Sequence, residues 1–475
     1  MMKQLCRKKL VEQDGHNLKK CLSAFDLTLL GVGAIIGTGI FVLTGVAAAT
    51  TSGPAVVLSF IVAGIACAFA ALAYAELSSS VGGSGSAYGY SYAAFGELIA
   101  WIIGWDLILE YGVAVAAVAN GWSGYFNNAL AAIGIALPEA LTKGPFAVTA
   151  DKMPDPGIVN LPAFLIILIL TVMLCVGVRE SAKLNMGMVF IKLLAIVIFI
   201  GVAVFHVNPD NWTPFAPFGW FSHDEFGKPI GILAGASVVF FAYVGFDAVS
   251  TAVEEAHEPK RDIPIGILAS LGFCTIIYIV VSGLLTGILP YDQLNVSSPV
   301  AFALQQIGIN WASALVATGV IAGLTTVMLV LFYALTRIIF AMSHDGLMPT
   351  IFGRVNEKTQ TPIYSTVFCG LIMAVMAGFM PLGALAELVN IGTLAAFILV
   401  CIGVAVLRKT HPDMPRPFKV PGGLIVPVLG VLSCGALIAF LPTETHIRFV
   451  LWLAVGLVIY FAYGFRKSKL RQEAA

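Results

Sequence analysis

The 475-residue chain is 59% hydrophobic and only 11% charged, with a mean hydropathy of +0.93, which excludes a soluble globular protein and indicates many membrane crossings. Lys plus Arg and Asp plus Glu number 26 each, so the balance gives no basis for a nucleic-acid or acidic partner, and none is expected. The eight cysteines are scattered, mostly in apolar runs, with no C-x-x-C pair, which reads as free thiols among helices.

Residues 1–22 form a basic, polar N-terminal segment. The apolar run that follows is too long for a signal-peptide core and is expected to remain as the first span. Within it, Asp26 to Thr44 is interrupted by Gly37-Thr38-Gly39. Each interior glycine costs a helix roughly 1 kcal/mol relative to alanine, and freed backbone in hydrocarbon costs several kcal/mol more unless it lines a polar cavity. The run therefore reads as a discontinuous helix whose half-helix ends hold a small zwitterion. Close helix packing through Gly31, Gly33, Gly37 and Gly39 is equally compatible with this run taken alone.

Apolar runs of about 20 residues predict twelve spans. They lie near 27–49, 54–79, 97–126, 161–178, 184–205, 230–251, 264–288, 313–342, 363–380, 385–407, 424–441 and 446–464. Of the 26 Lys and Arg residues, all but Lys143, Lys152, Lys228, Arg448 and Lys192 then fall on the side of the two termini. That asymmetry predicts cytoplasmic N- and C-termini in a multi-pass plasma-membrane protein. The Gly- and Ser-rich stretch 78–92 reads as a cytoplasmic connection, and it lacks the Gly-Lys-Ser/Thr that a phosphate loop needs.

The sixth span holds a second interruption, Gly245 and Asp247 within Phe240-Phe-Ala-Tyr-Val-Gly-Phe-Asp247. Five spans separate the two breaks, so if spans six to ten repeat spans one to five, the copies are inverted. Paired interrupted helices in matching positions point to a midplane transport site. The organisation expected is 1–22, a first repeat over 23–210, a second over 211–410, and the last two spans with the C-terminal tail over 411–475.

Few residues carry chemistry. Lys192 is the basic residue that cannot extend to an interface, and a buried amine needs a partner or loses its proton. It reads as an energy-coupling element or, alternatively, as a permanent charge neutralising a carboxylate or helix C-terminus. Glu110, four residues after Asp106 and on the same helical face, is expected near mid-membrane, facing substrate or serving structure. Asp247 reads as a cap on the N–H groups freed at its break, Phe241 as a lid, and Glu76 as a rim or gate residue. The charged segment 254–264 reads as a solvated loop. No metal spacing, catalytic triad or nucleophile pair occurs, so no cofactor, no metal and no enzymatic activity are expected.

Gly33-Ala-Ile-Ile-Gly-Thr-Gly-Ile-Phe41, Gly85-Ser-Ala-Tyr88, Gly104-Trp-Asp-Leu-Ile-Leu-Glu-Tyr111, the second break with Glu254-Glu255 and Arg261-Asp-Ile-Pro264, and Arg337 with Ala341 to Leu347 together resemble the amino acid–polyamine–organocation superfamily. The nearest branch by these motifs is the bacterial cationic amino acid transporter homologues. The resemblance implies an all-helical leucine-transporter fold of five plus five inverted spans and two more. It further implies that the substrate carboxylate meets N–H groups around Gly37, Thr38 and Gly39, and that its ammonium meets carbonyls at Ile35 or Ile36 and across Phe241, Ala242 and Val244. Phe241 matches an aromatic gate, Lys192 the lysine of proton-coupled members, and Glu110 the acidic residue of the cationic branch. The pocket wall on span eight is expected near Thr325 to Met328, where the bulky apolar Met328 shortens the pocket and favours small neutral amino acids over arginine or lysine. The expected activity is proton-coupled symport of small neutral or cationic L-amino acids by alternating access. The alternatives are an amino acid or polyamine exchanger and a membrane sensor. The partners expected are substrate, protons and the bilayer, with room for a small single-span membrane protein.

Overall fold

The computed structural model describes residues 22–81, 87–147, 154–177, 182–357, 359 and 361–472. Helix α1 (Ala24–Ile35) starts at a reciprocal cap in which the Ser23 hydroxyl accepts the Asp26 N–H and the Asp26 carboxylate accepts the Ser23 N–H at 2.9 Å. It stops at Ile36, where ψ swings to 102°. Winding resumes over 39–52 as two π-helical turns separated by one α turn. Gly53, at φ 63°, and Pro54 then redirect the chain into α2 (Val56–Val81).

Residues 87–94 are helical, within the stretch that reads from sequence as a Gly- and Ser-rich connection between two spans. This helix, α3 (Ala87–Ala94), buries Tyr88, Tyr90 and Tyr92, and that burial outweighs the weak helix propensity of its glycine and serine. Gly85, part of the family-like motif, lies outside the described residues.

The longest helix, α4 (Glu97–Ala132), has 36 residues and at about 1.5 Å per residue exceeds the roughly 30 Å hydrocarbon thickness. There follow α5 (Leu161–Val176), α6 (Ala182–Ala203) and α7 (Ile232–Val239). After the second interruption come a 3₁₀ segment (Phe246–Glu255) and α8 (Pro259–Ile288). The chain ends through α9 (Pro299–Gln306), α10 (Asn310–His344), α11 (Ile363–Phe379), α12 (Leu382–Thr410), α13 (Ile425–Ala439) and α14 (Thr443–Ile459).

Among the described residues, seven helical runs are long and apolar enough to cross a membrane, and five shorter apolar helices accompany them. One of the seven, Gly39–Val81, contains the end of the first expected span and all of the second. Two local elements were not expected. The loop before α7 holds a hairpin, β1 (Ser222–His223) against β2 (Pro229–Ile230), whose turn is fixed by Asp224 Oδ1 accepting the N–H groups of Phe226 and Lys228 at 2.9 Å. The other is α9, which opens with Pro at its first position.

Helix α4 runs through the centre, packed along α10 and α12. Small residues set these approaches: a Cβ on Gly104 would lie 2.7 Å from Met342 Sδ. Outside, α14 is held by Trp105 stacked on Trp452 at 4.4 Å and by Trp101 Nε1 donating to the Gly456 carbonyl at 3.0 Å. Large apolar side chains on the outer faces of α5, α11 and α14, such as Ile169, Leu371 and Val458, are exposed, as a lipid-facing surface requires. The described cysteines, Cys67, Cys175, Cys274, Cys369, Cys401 and Cys434, are free thiols, as the sequence suggested.

Candidate functional site

The two interruptions meet. At the first, α1 ends with carbonyls that have no helical donor ahead of them. Lys192 Nζ, fully buried on α6, donates to the carbonyls of Gly33 and, at 3.1 Å, Ile36. The Tyr278 hydroxyl on α8 lies 3.0 Å from the Ile35 carbonyl. The second half-helix begins at Gly39, so the N–H groups of Thr38 and Gly39 have no earlier helical carbonyl in register, and the first reconnecting bond is Phe41 N–H to Gly37 O at 3.4 Å.

At the second, α7 tightens into a 3₁₀ turn (Phe240–Tyr243), Val244 is extended with ψ 132°, and Gly245 takes φ 111°. That φ is strained for any residue with a side chain. Tyr278 ties the breaks together: its hydroxyl is also 2.7 Å from the Ala242 carbonyl. A hydroxyl donates one hydrogen bond, so its proton is divided between a carbonyl from each break. The backbones touch at Gly39, where a Cβ would lie 2.2 Å from Ala242 Cα, and at Gly245, where one would lie 3.1 Å from the Ala34 carbonyl oxygen.

A small cavity of about 10 Å³ lies between them. It is lined by Ala34, Ile35, Gly37, Thr38 and Gly39 from the first break, Phe241 and Val244 from the second, Ala114 and Val118 from α4, and Val327 and Leu331 from α10. At about one water-sized sphere the space is closed down, and an amino acid enters it only when the walls move apart. Every lining side chain is uncharged, and the only side-chain hydroxyl is that of Thr38, whose Oγ1 is buried without a hydrogen-bond partner. Polar recognition therefore falls to backbone groups and this hydroxyl.

Several sequence-selected residues lie elsewhere. Met328 is fully buried but is not part of the pocket lining; Val327 and Leu331, four apart and so on one helical face, take that place, and Met328 points about 100° away. Glu110 also stands outside the lining, one turn before Ala114 on the same stripe of α4. Ile36 and Ala242 contribute carbonyls to Lys192 and Tyr278 and not pocket surface. Asp247 accepts a 2.7 Å hydrogen bond from Tyr111, a partner with no local sequence signal, and the backbone N–H groups of Gly245, Asp247 and Ala248 approach the same carboxylate, as the capping reading expects. Glu76 is held away from the pocket: Arg408 Nε donates to its Oε1 at 2.8 Å, a second guanidinium nitrogen meets Oε2, and the Val420 N–H donates to Oε2 at 2.7 Å. It joins α2 to the end of α12 and the segment beyond. Tyr278, Ala114, Val118 and Leu331 were not singled out by sequence, whereas Val327 falls within the stretch of span eight expected to form the wall. Only the four-residue spacing from Glu110 to Ala114 and Val118 could have flagged two of them.

A family profile described as amino acid permease matches residues 22–462. The chain belongs to the amino acid permease family. It is a member of the amino acid–polyamine–organocation superfamily, as its motifs suggested, and the family and relatives are transporters. This permease is 51% identical to the branched-chain amino acid permease BcaP of Bacillus subtilis over 96% of the chain and 95% of that protein. It is 48% identical to the methylthioribose transporter of the same organism over 99% of the chain and all of that protein. A vacuolar cationic amino acid transporter of Arabidopsis thaliana is 39% identical over 86% of the chain and 67% of its own length. Membership makes the permease a multi-pass membrane protein whose general function is amino acid transport.

Proposed function

We propose that the permease is a secondary active symporter that carries a neutral aliphatic L-amino acid together with a proton by alternating access across the cell membrane, with both termini cytoplasmic. The observation that carries the substrate class is the pocket wall: Ala114, Val118, Val244, Val327 and Leu331 present apolar surface, and no lining residue is acidic. A lysine or arginine side chain would lose its hydration there without a counter-charge. The likeness to a branched-chain permease supports the same reading.

The substrate carboxylate meets the N–H groups of Thr38 and Gly39 at the positive end of the second half-helix. Its ammonium meets carbonyls at the end of α1 and near Phe241, which keep a free lone pair when Lys192 or Tyr278 occupies the other. Phe241 closes over the ligand. Lys192 is the proton-linked element: charged, it gathers the carbonyls of Gly33 and Ile36 at the negative end of α1; neutral, it loosens that end. The twelve spans form two inverted five-helix repeats, 23–210 and 211–410, with the last two spans in 411–475.

Uptake of labelled L-leucine into proteoliposomes, with and without an inward proton gradient, tests the reading. Gradient-stimulated uptake by the native protein, and uptake indifferent to the gradient in Lys192→Ala, are expected. Gradient-independent uptake by both overturns the coupling. Competition by methylthioribose and not by leucine overturns the substrate class, a necessary arm given the second relative. Uptake only against internal amino acid identifies an exchanger, and binding without counterflow a sensor.

A further inference from the structure

Helix α10 carries one stripe left open among the described residues. Trp311, Leu315, Ala322, Leu329, Tyr333 and Arg337 recur at spacings of four and seven, so they share a face, and each is exposed or half-buried. The buried faces of α10 pack on α4 and α6. A tryptophan, then aliphatic side chains, then a tyrosine is the order in which a spanning helix meets one interface, the hydrocarbon and the other interface.

The lengths agree with that order. Tyr333 follows Trp311 by 22 residues, about 33 Å of helix at roughly 1.5 Å per residue, against roughly 30 Å of hydrocarbon. Arg337 lies one turn further on, about 6 Å beyond Tyr333 and so at the depth of the lipid phosphates, while α10 continues to His344.

Arg337 also lacks a protein counter-charge. Arg408 and Arg416 meet Glu76, Arg261 meets Glu258, and Arg471 donates to the Phe465 carbonyl at 2.8 Å. Arg337 makes no salt bridge among the described residues. Tyr333 is what orients it: the guanidinium Cζ stands 4.6 Å from the centre of that ring. A guanidinium laid over a ring has one flat face occupied, and its N–H donors, which lie in its plane, stay available. Two adjacent donors in that plane match two oxygens of a phosphate. An unpaired arginine on a lipid-facing helix is costly, and its long side chain relieves the cost by reaching the headgroups.

We propose that Arg337, oriented by Tyr333, binds the phosphate of an anionic phospholipid in the leaflet at the His344 end of α10. In the orientation proposed above this is the cytoplasmic leaflet, where anionic headgroups attract juxtamembrane basic residues. A zwitterionic lipid brings the same phosphate with a cation of its own, which competes with the guanidinium, so the site selects net negative charge. The same helix supplies Val327 and Leu331 to the pocket wall, and the bound lipid fixes its depth in the bilayer.

Native mass spectrometry of the purified, delipidated full-length protein, titrated with phosphatidylglycerol or phosphatidylcholine, tests the site. The native protein is expected to bind its first phosphatidylglycerol at least about tenfold more tightly than its first phosphatidylcholine, and Arg337→Gln to lose most of that preference. Tyr333→Leu, which removes the ring and keeps the charge, is expected to lose part of it. Arg448→Gln, which removes an exposed arginine near the start of α14, is expected to keep it whole. Equal affinity for the two lipids in the native protein, a preference unchanged by Arg337→Gln, or an equal loss in Arg448→Gln overturns the proposal. So does displacement of phosphatidylglycerol by inorganic phosphate, which would make this a site for the free anion. If Arg337→Gln does not fold, the native comparison and the phosphate arm still decide. No arm uses uptake, so the outcome is independent of the transport reading.

Discussion

Gly39 and Ala242 meet backbone to backbone, so closely that a Cβ at 39 would lie 2.2 Å from the Ala242 Cα. This contact is what makes one site out of two broken helices 203 residues apart in sequence. Gly39→Ala must push the breaks apart. Leucine binding by the folded protein is expected to weaken at least about tenfold, equivalent to roughly 1.4 kcal/mol. Scintillation proximity binding with a parallel folding check measures it, and native affinity would show that the contact does not shape the pocket.

Tyr278 holds the same pair through hydrogen bonds to Ile35 and Ala242. Tyr278→Phe leaves two buried carbonyls without it, at about 1–3 kcal/mol for the unsatisfied group. A lower melting temperature and weaker leucine binding are expected together. Unchanged values of both would mean that water or backbone replaces the hydroxyl.

Side-chain size should be read by Leu331 and Val327, and not by Met328. Leu331→Ala enlarges the pocket wall and is expected to raise the preference for phenylalanine or methionine over alanine by roughly 10- to 200-fold. Met328→Ala is expected to lower stability, by about 2–5 kcal/mol for a buried truncation, and to leave the size preference alone. Competition uptake across amino acids of increasing length separates the two.

Glu76 is 2% exposed and bound by Arg408 and the Val420 N–H, with Arg416 Nε 3.6 Å away. Glu76→Gln leaves partly buried guanidinium charge uncompensated, and the loss is expected to fall below the about 3–5 kcal/mol of a fully buried pair. A clear drop in thermal stability is expected. Glu76→Gln with Arg408→Gln should recover part of it, and additive losses would contradict the pairing.

The two breaks were legible because glycine and aspartate stand out in an apolar run and nothing else in that run satisfies the freed backbone. Lys192 was legible for the same reason, as an amine with no route to water. The pocket wall was not. Helix α10 is apolar on most faces, so hydropathy carries no record of its rotation, and choosing between Met328 and its neighbours Val327 and Leu331 required coordinates. Tyr278 was hidden in an aliphatic stretch, and its role depends on two carbonyls that come from other helices. Glu110 is buried in α4, but its neighbours, Asp247 and Thr393, come from distant parts of the chain. The helix of α3 was obscured by its glycine and serine, since the burial of its tyrosines is a tertiary effect.

The central claim is that bare peptide groups at the paired breaks grip the substrate. An experimental structure of the protein with L-leucine bound tests it most directly. The ligand carboxylate should lie within hydrogen-bond distance of the Thr38 and Gly39 N–H groups, with its side chain against Val118, Val327 and Leu331. Leucine bound away from both breaks, or with its carboxylate paired to Lys192, would contradict the account.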